Sequence, residues 1–181
     1  TVTTNPRGIA YDGTSLYILV DASPKDKVVV VDPADTSSPP TIIRTLTMPA
    51  GVVDAITYNS TDTFLYIGVK VGYDRKFCKI HRVTGNVLGT CTDLESPIHD
   101  ELGGLAYNGT NLVGFLKSNN RDFYTISVSD GAAESADVQC CEAGNDGYTA
   151  AAYRTSTSKA YVANDNKIYE FTSGGDARQT I

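Results

Sequence analysis

Gly8-Ile9-Ala10-Tyr11-Asp12-Gly13-Thr14, Ala55-Ile56-Thr57-Tyr58-Asn59-Ser60-Thr61 and Gly104-Leu105-Ala106-Tyr107-Asn108-Gly109-Thr110 follow one pattern, and Ala150-Ala151-Ala152-Tyr153-Arg154-Thr155-Ser156 is a weaker fourth copy. Each reads small, apolar, small or Thr, Tyr, and then a polar turn. Tyr11, Tyr58, Tyr107 and Tyr153 recur at intervals of 47, 49 and 46 residues. Self-similarity at such a period is the signature of a repeat architecture.

Around each copy the chain alternates short runs of Val, Ile, Tyr, Phe and Thr with clusters of Gly, Asp, Asn, Ser and Pro, the pattern of strands and turns. No long window carries a 3.6-residue period. The first unit predicts strands at 7–11, 16–20, 27–31 and 42–46. Asp32-Pro33 closes its third strand, because proline has no N–H to donate. The second predicts strands at 55–58, 64–69, 77–83 and 87–91, and the third at 104–107, 112–116, 123–128 and 137–141. The fourth predicts 149–153, 160–163, 167–171 and 178–181. The repeats span about 7–48, 52–96, 101–143 and 147–181, so the whole of 1–181 reads as a single domain.

Four-stranded meanders repeated every 40–50 residues imply an all-β fold, a β-propeller of four blades with four antiparallel strands each. In that fold the first strand of every blade crowds the axis. Small residues there, Gly8, Ala55, Gly104 and Ala150 in one slot and Ala10, Thr57, Ala106 and Ala152 in another, are the expected solution. The tyrosines read as packing residues at the end of the inner strand. The segments Leu16-Tyr17-Ile18-Leu19-Val20 with Lys27-Val28-Val29-Val30-Val31-Asp32, and Ala160-Tyr161-Val162-Ala163-Asn164-Asp165-Asn166-Lys167-Ile168-Tyr169-Glu170-Phe171, resemble the repeats of the YVTN and NHL β-propeller groups. The resemblance is one of fold and implies no single function, since such propellers serve as surface proteins, interaction platforms and enzymes. Members commonly carry six or seven blades. Four units imply either a small closed ring or a four-blade part of a larger ring or assembly, whose open edges invite pairing.

Bulk composition narrows the partners. The chain has 181 residues, with 15 basic and 21 acidic side chains and a formal net charge of −6. Nucleic acid is disfavoured, because phosphate binding draws on clustered Lys and Arg. Apolar runs are short, as at Val28–Val31, well below the ~20 residues of a membrane helix. The chain opens on Thr without a visible signal peptide, which suggests a processed product with both ends docked.

Four cysteines are present. Cys78 and Cys91 flank the turn Thr84-Gly85-Asn86 and face each other if the hairpin loop is two residues; the alternative is a pair of buried thiols. Cys140 and Cys141 point to opposite faces of a regular strand, which leaves a vicinal disulfide or a bond to another chain. Bridged cysteines favour an oxidising, extracellular or cell-surface location. The sequons Asn59-Ser60-Thr61 and Asn108-Gly109-Thr110 fall in one turn slot that reads as exposed, so N-linked glycans at Asn59 and Asn108 are expected in a glycosylating host. Plain turn chemistry explains the same residues equally well.

Asp54, Asp100, Glu101 and Asp146 gather before the inner strands. Converging carboxylates there would suit Ca2+ through oxygen ligands, and lactonases of related architecture hold a metal in that region. These residues do not share one repeat offset, however, so a solvated acidic rim competes with the metal reading. No cofactor other than such an ion is implied. Catalytic residues are not recognisable: no G-x-S-x-G elbow is present, and His99-Asp100 has no marked serine partner. The expectation is a non-enzymatic extracellular structural or binding module with protein partners, acting by self-assembly or in a surface complex, even as a subunit of a filament. The alternatives are a metal-dependent hydrolase and a lectin-like carbohydrate binder.

Overall fold

The computed structural model describes residues 5–94, 98, 102–116, 123–136, 150–164, 167–172 and 177–180. Its first sheet comprises β1 (Pro6–Tyr11), β2 (Leu16–Val20), β3 (Lys27–Val31) and β4 (Ile42–Thr47), and the second β5 (Val52–Asn59), β6 (Phe64–Val71), β7 (Asp74–Ile80) and β8 (Thr92–Asp93). The third holds β9 (Leu102–Tyr107), β10 (Leu112–Leu116), β11 (Phe123–Ile126) and β12 (Ala133–Ala136), and the fourth β13 (Ala150–Arg154), β14 (Lys159–Asn164), β15 (Lys167–Thr172) and β16 (Ala177–Thr180). All pairs are antiparallel, and each sheet uses four consecutive strands. This is the all-β, four-sheet, propeller-like arrangement that the repeat implies. No strand among the described residues is exchanged between the first and last sheets.

The first strands of the sheets lie side by side. β1 packs on β5, β5 on β9 and β9 on β13, while β1 meets β13 over a much smaller area. Strand alternation sends successive side chains to opposite faces, and this builds three apolar joints. Ala10, Tyr17, Leu19, Val28 and Val30 of the first sheet pack on Ile56, Leu65, Ile67 and Cys78 of the second. The other face of the second sheet, with Ala55, Tyr66 and Phe77, meets Leu105, Tyr107, Leu112 and Tyr124 of the third. Ala106, Val113 and Phe115 then meet Ala160, Val162 and Phe171 of the fourth. In every joint, the face carrying the small slot of one sheet covers the apolar–Tyr face of the next.

The small slot is a steric requirement at Gly104. A Cβ there would lie 2.8 Å from the Ala150 carbonyl carbon and the Ala151 backbone nitrogen, which cannot move aside independently. At Gly8 the nearest atom is the Ile56 Cγ2 methyl, at 3.1 Å, and a side chain can yield.

The second sheet departs from the expected strand limits. β7 ends at Ile80, and the chain reverses through a loop closed by His81 N–H to the Asn86 carbonyl (2.9 Å) and Gly85 N–H to the His81 carbonyl (2.8 Å). The turn is thus longer than two residues. An isolated bridge joins Ile80 to Val87, but Phe77 pairs with Thr92, so the returning strand carries two extra residues. That offset restores Cys91 to a place opposite Cys78, and the two form a disulfide with Cα atoms 4.3 Å apart. In the chain-entropy account, closing so short a loop stabilises the fold by about 3 kcal/mol. β8 accordingly lies at 92–93 and not at 87–91, and β12 lies at 133–136, upstream of the expected 137–141. Cys140, Cys141 and Thr1–Thr4 lie outside the described residues.

The different neighbours of the two glycines separate their substitutions. Gly104→Ala is expected to lower the unfolding free energy by about 1–3 kcal/mol, the usual cost of overpacking, and Gly8→Ala by less. Denaturant titration of both variants checks the order; equal losses would contradict the close approach of β9 to β13.

Candidate functional site

Two ends of the inner strands carry the polar chemistry. At the end where these strands begin, one backbone device recurs. The ladder slips between Pro6 and Gly8 in β1, between Val53 and Ala55 in β5, and opposite Phe115/Leu116 in β9. Each slip is a bulge whose extra residue, Arg7, Asp54 or Gly103, sits just before the small slot. Bulges re-aim side chains, and here they turn a cation and a carboxylate from adjacent sheets toward each other. Arg7 Nη1 lies 3.7 Å from Asp54 Oδ1 and 3.8 Å from Asp26 Oδ2, and Nη2 donates to Asp21 Oδ2 at 2.6 Å.

Three carboxylates therefore surround one guanidinium. Asp26 precedes β3 and is buried. Its Oδ2 accepts the Val53 N–H at 2.8 Å, which ties the β2–β3 loop of the first sheet to the start of β5. Asp54 is also buried, and it borders a shallow surface crease lined by Arg75, Lys76, Leu94 and Leu102. Buried beside the Arg7 guanidinium, Asp54 is not part of a solvated acidic rim. Asp100, Glu101 and Asp146, the other members of the expected metal set, lie outside the described residues. Among the described residues, no three His, Cys, Asp or Glu side chains converge as metal ligands.

At the opposite end, the polar turns after Tyr11 and Tyr107 share a second device. Asp12 Oδ1 accepts the N–H groups of Thr14 (2.9 Å) and Ser15 (2.7 Å), and Asn108 Oδ1 those of Thr110 (3.0 Å) and Asn111 (2.8 Å). Gly13 and Gly109 hold φ of +94° and +102°, the left-handed region these turns require. Tyr11 and Tyr107 donate to the carbonyls of Gly13 (2.7 Å) and Gly109 (2.8 Å). The tyrosines thus brace their own turns, and Tyr11 remains exposed. Tyr107 Oη also lies 3.1 Å from Thr61 Oγ1, a link from the third sheet to the second.

The second repeat is not equivalent at this slot. Its ladder continues to Asn59↔Phe64, and the turn moves out to 60–63. Asn59 is drawn into the sheet, is 3% exposed, and accepts from Thr61 N–H at 2.8 Å. The expectation that both sequons occupy an exposed slot is corrected: the Asn59 amide is enclosed, and only Asn108 is partly open. The period hides this difference, because the second turn is longer while the spacing between tyrosines stays near constant.

A third set of contacts uses the tyrosine of the second strand. Tyr17 donates to Asp12 Oδ2 (2.8 Å), Tyr66 to Asp62 Oδ2 (2.8 Å) and Tyr161 to Glu170 Oε2 (3.0 Å). Each carboxylate also meets a cation: Arg82 with Asp12 at 2.5 Å, Lys79 with Asp62 at 2.8 Å, and Lys159 with Glu170. Arg82 belongs to the β7–β8 turn, so its bond to Asp12 clasps the second sheet to the first. Burial acts to raise the Asp12 pKa. Hydrogen bonds from Ser15, Tyr17, Thr14 and Arg82 together outweigh it and hold the carboxyl below its ordinary value. These contacts are structural in character. The Arg82 clasp is hidden from sequence reading because its partners are distant: Asp12 and Arg82 stand 70 residues apart.

A depressed carboxyl pKa stabilises the fold above the unfolded-state value of about 4, and that contribution is lost as pH falls through the folded-state value. Asp12→Asn retains the turn cap, as Asn108 shows, but removes the anion that faces Arg82 and Tyr17. Unfolding measured from pH 7 to pH 2 should show the variant less stable at neutral pH, with the gap closing below about pH 4. A gap independent of pH would contradict the clasp.

No protein-family model matches the chain, and no curated protein matches it in sequence. Among solved structures, it is similar to a structural-genomics protein of unknown function from Bacteroides thetaiotaomicron. The TM-score is 0.68 at 16% identity, over 97% of this chain and 43% of that one. The chain thus spans less than half the length of that neighbour. A computationally designed protein aligns over 97% of this chain and 90% of its own, with a TM-score of 0.49 at 14% identity. The first likeness is a likeness of fold, in keeping with a propeller-like, all-β arrangement of four sheets.

Proposed function

We propose that the chain is a non-enzymatic binding or structural module of β-propeller type that works outside the cell or at its surface, within a larger protein assembly. The observation that carries this reading is the pairing of Asp54 with Arg7 across the first two inner strands. A carboxylate that serves as a ligand for Ca2+ needs its negative charge directed at the ion. Here the Arg7 guanidinium stands at 3.7 Å. That cation favours a locked sheet-to-sheet contact over a hydrolytic metal centre. The Cys78–Cys91 disulfide suits an oxidising compartment. If the host adds N-linked glycans, Asn108 is the sequon in position to receive one, since Asn59 is enclosed.

The rival reading is a lactonase-like, metal-dependent hydrolase, and calcium separates the two. A specific ion stabilises the folded state by linkage. The binding-module reading expects the thermal midpoint of the chain to stay constant through a millimolar Ca2+ titration. A saturable rise that is lost in Asp54→Asn would establish the metal-site reading in its place.

A further inference from the structure

Asn108-Gly109 is the one Asn-Gly step in the chain. A glycine after an asparagine leaves no side chain to obstruct attack by its own backbone nitrogen. Gly109 holds a φ of +102° and is exposed in its turn. The Asn108 side chain is held by the same turn: its Oδ1 accepts the N–H groups of Thr110 at 3.0 Å and Asn111 at 2.8 Å. Two backbone N–H groups on one amide oxygen act as an oxyanion hole, because they stabilise the charge that gathers on Oδ1 when a nucleophile adds to Cγ. The nucleophile is the adjacent Gly109 nitrogen, so no second molecule has to be positioned. Asn108 is also partly open to water. Asn59 provides the contrast within the same molecule. Its Oδ1 accepts from Thr61 N–H at 2.8 Å and Asp62 N–H at 3.4 Å, but it is enclosed, and the next residue is Ser60, whose side chain crowds the attacking nitrogen.

We propose that Asn108-Gly109 is a self-modifying site at which the folded turn promotes deamidation of Asn108. A bond forms between the Gly109 nitrogen and Asn108 Cγ, and the bond from Cγ to Nδ2 breaks. Nδ2 leaves as ammonia, with the proton that the Gly109 nitrogen gives up, and a succinimide ring remains. One water then opens the ring. Cleavage at Cγ gives aspartate at 108, and cleavage at the main-chain carbonyl gives isoaspartate. The repeat already accommodates the first product, since Asp12 caps the matching turn of the first sheet through Thr14 and Ser15. The second product inserts a side-chain carbon into the main chain before Gly109. That displaces the Gly109 carbonyl, to which Tyr107 donates at 2.8 Å, and the same hydroxyl lies 3.1 Å from Thr61 Oγ1 of the second sheet. The reaction therefore loosens the third sheet from the second as the chain ages, with no enzyme required. It also expels the nitrogen that an N-linked glycan would occupy, so a converted chain can no longer be glycosylated at this position.

The test incubates the full chain, made in a host that adds no N-linked glycans, in mildly alkaline buffer. The same chain, unfolded in denaturant at the same pH, gives the rate set by the sequence alone. Peptide mapping that separates asparaginyl, aspartyl and isoaspartyl forms reads both. Asn108 should convert in the folded chain at least as fast as in the unfolded chain, and ahead of Asn59. Slower conversion in the folded chain would show that the turn shields Asn108 and would overturn the proposal, as would conversion of Asn59 first. The structural consequence has its own readout. The isoaspartyl fraction of the aged chain should unfold at lower denaturant than freshly prepared Asn108→Asp, which keeps the cap. Equal midpoints would contradict the loosening of the third sheet from the second.

Discussion

Close approach of adjacent inner strands is the constraint on which the rest of the structure depends. At β9 and β13 the backbones come so near that only a missing Cβ fits, with Gly104 against Ala150 and Ala151. That proximity sets the sheets face to face and allows Tyr17, Phe115 and Phe171 to be fully buried between them. Burying a large apolar side chain stabilises a fold by about 1.5–3 kcal/mol, so three such joints dominate the energetics. The hydrogen bonds and ion pairs at either end of the inner strands then select the register. Arg7 locks to Asp54 at one end, and Arg82 clasps Asp12 at the other. Both pairs join the first sheet to the second, and the disulfide holds the outer strands of the second sheet.

Polar residues here act mainly as fasteners. The bulges at Arg7 and Asp54 would serve equally well to direct catalytic groups into a cleft, and position alone does not distinguish the two uses. Charge does. A buried carboxylate 3.7 Å from a guanidinium of the neighbouring sheet has a local environment suited to holding strands together. The tyrosine–carboxylate–cation sets make the same point, because Tyr17 and Tyr66 are buried in the joints that they help to align.

The repeat was legible in the sequence because its period is set by backbone geometry. Gly8, Ala55, Gly104 and Ala150 mark the crowded slot, and the strand runs between them are rich in β-branched residues. Boundaries were less legible where a loop absorbs extra residues. The offset on the return from Val87 to Thr92 shifted β8, and the longer turn at 60–63 buried Asn59, which the regular tyrosine spacing concealed. The Cys78–Cys91 pairing follows from the local hairpin and was accessible from proximity in sequence. The Arg7 cluster was not, since Asp21, Asp26 and Asp54 reach one guanidinium only once two sheets have packed. Of the acidic set, Asp54 is the member among the described residues, and the sequence does not display the cation that faces it.

The central claim is that three apolar joints, set by the close approach of the inner strands, hold the four sheets together. Amide hydrogen exchange resolved by strand tests it most directly, because protection follows local stability. The β5 and β9 strands, covered on both faces, should exchange more slowly than β1 and β13. Equal protection of all four inner strands would contradict the account.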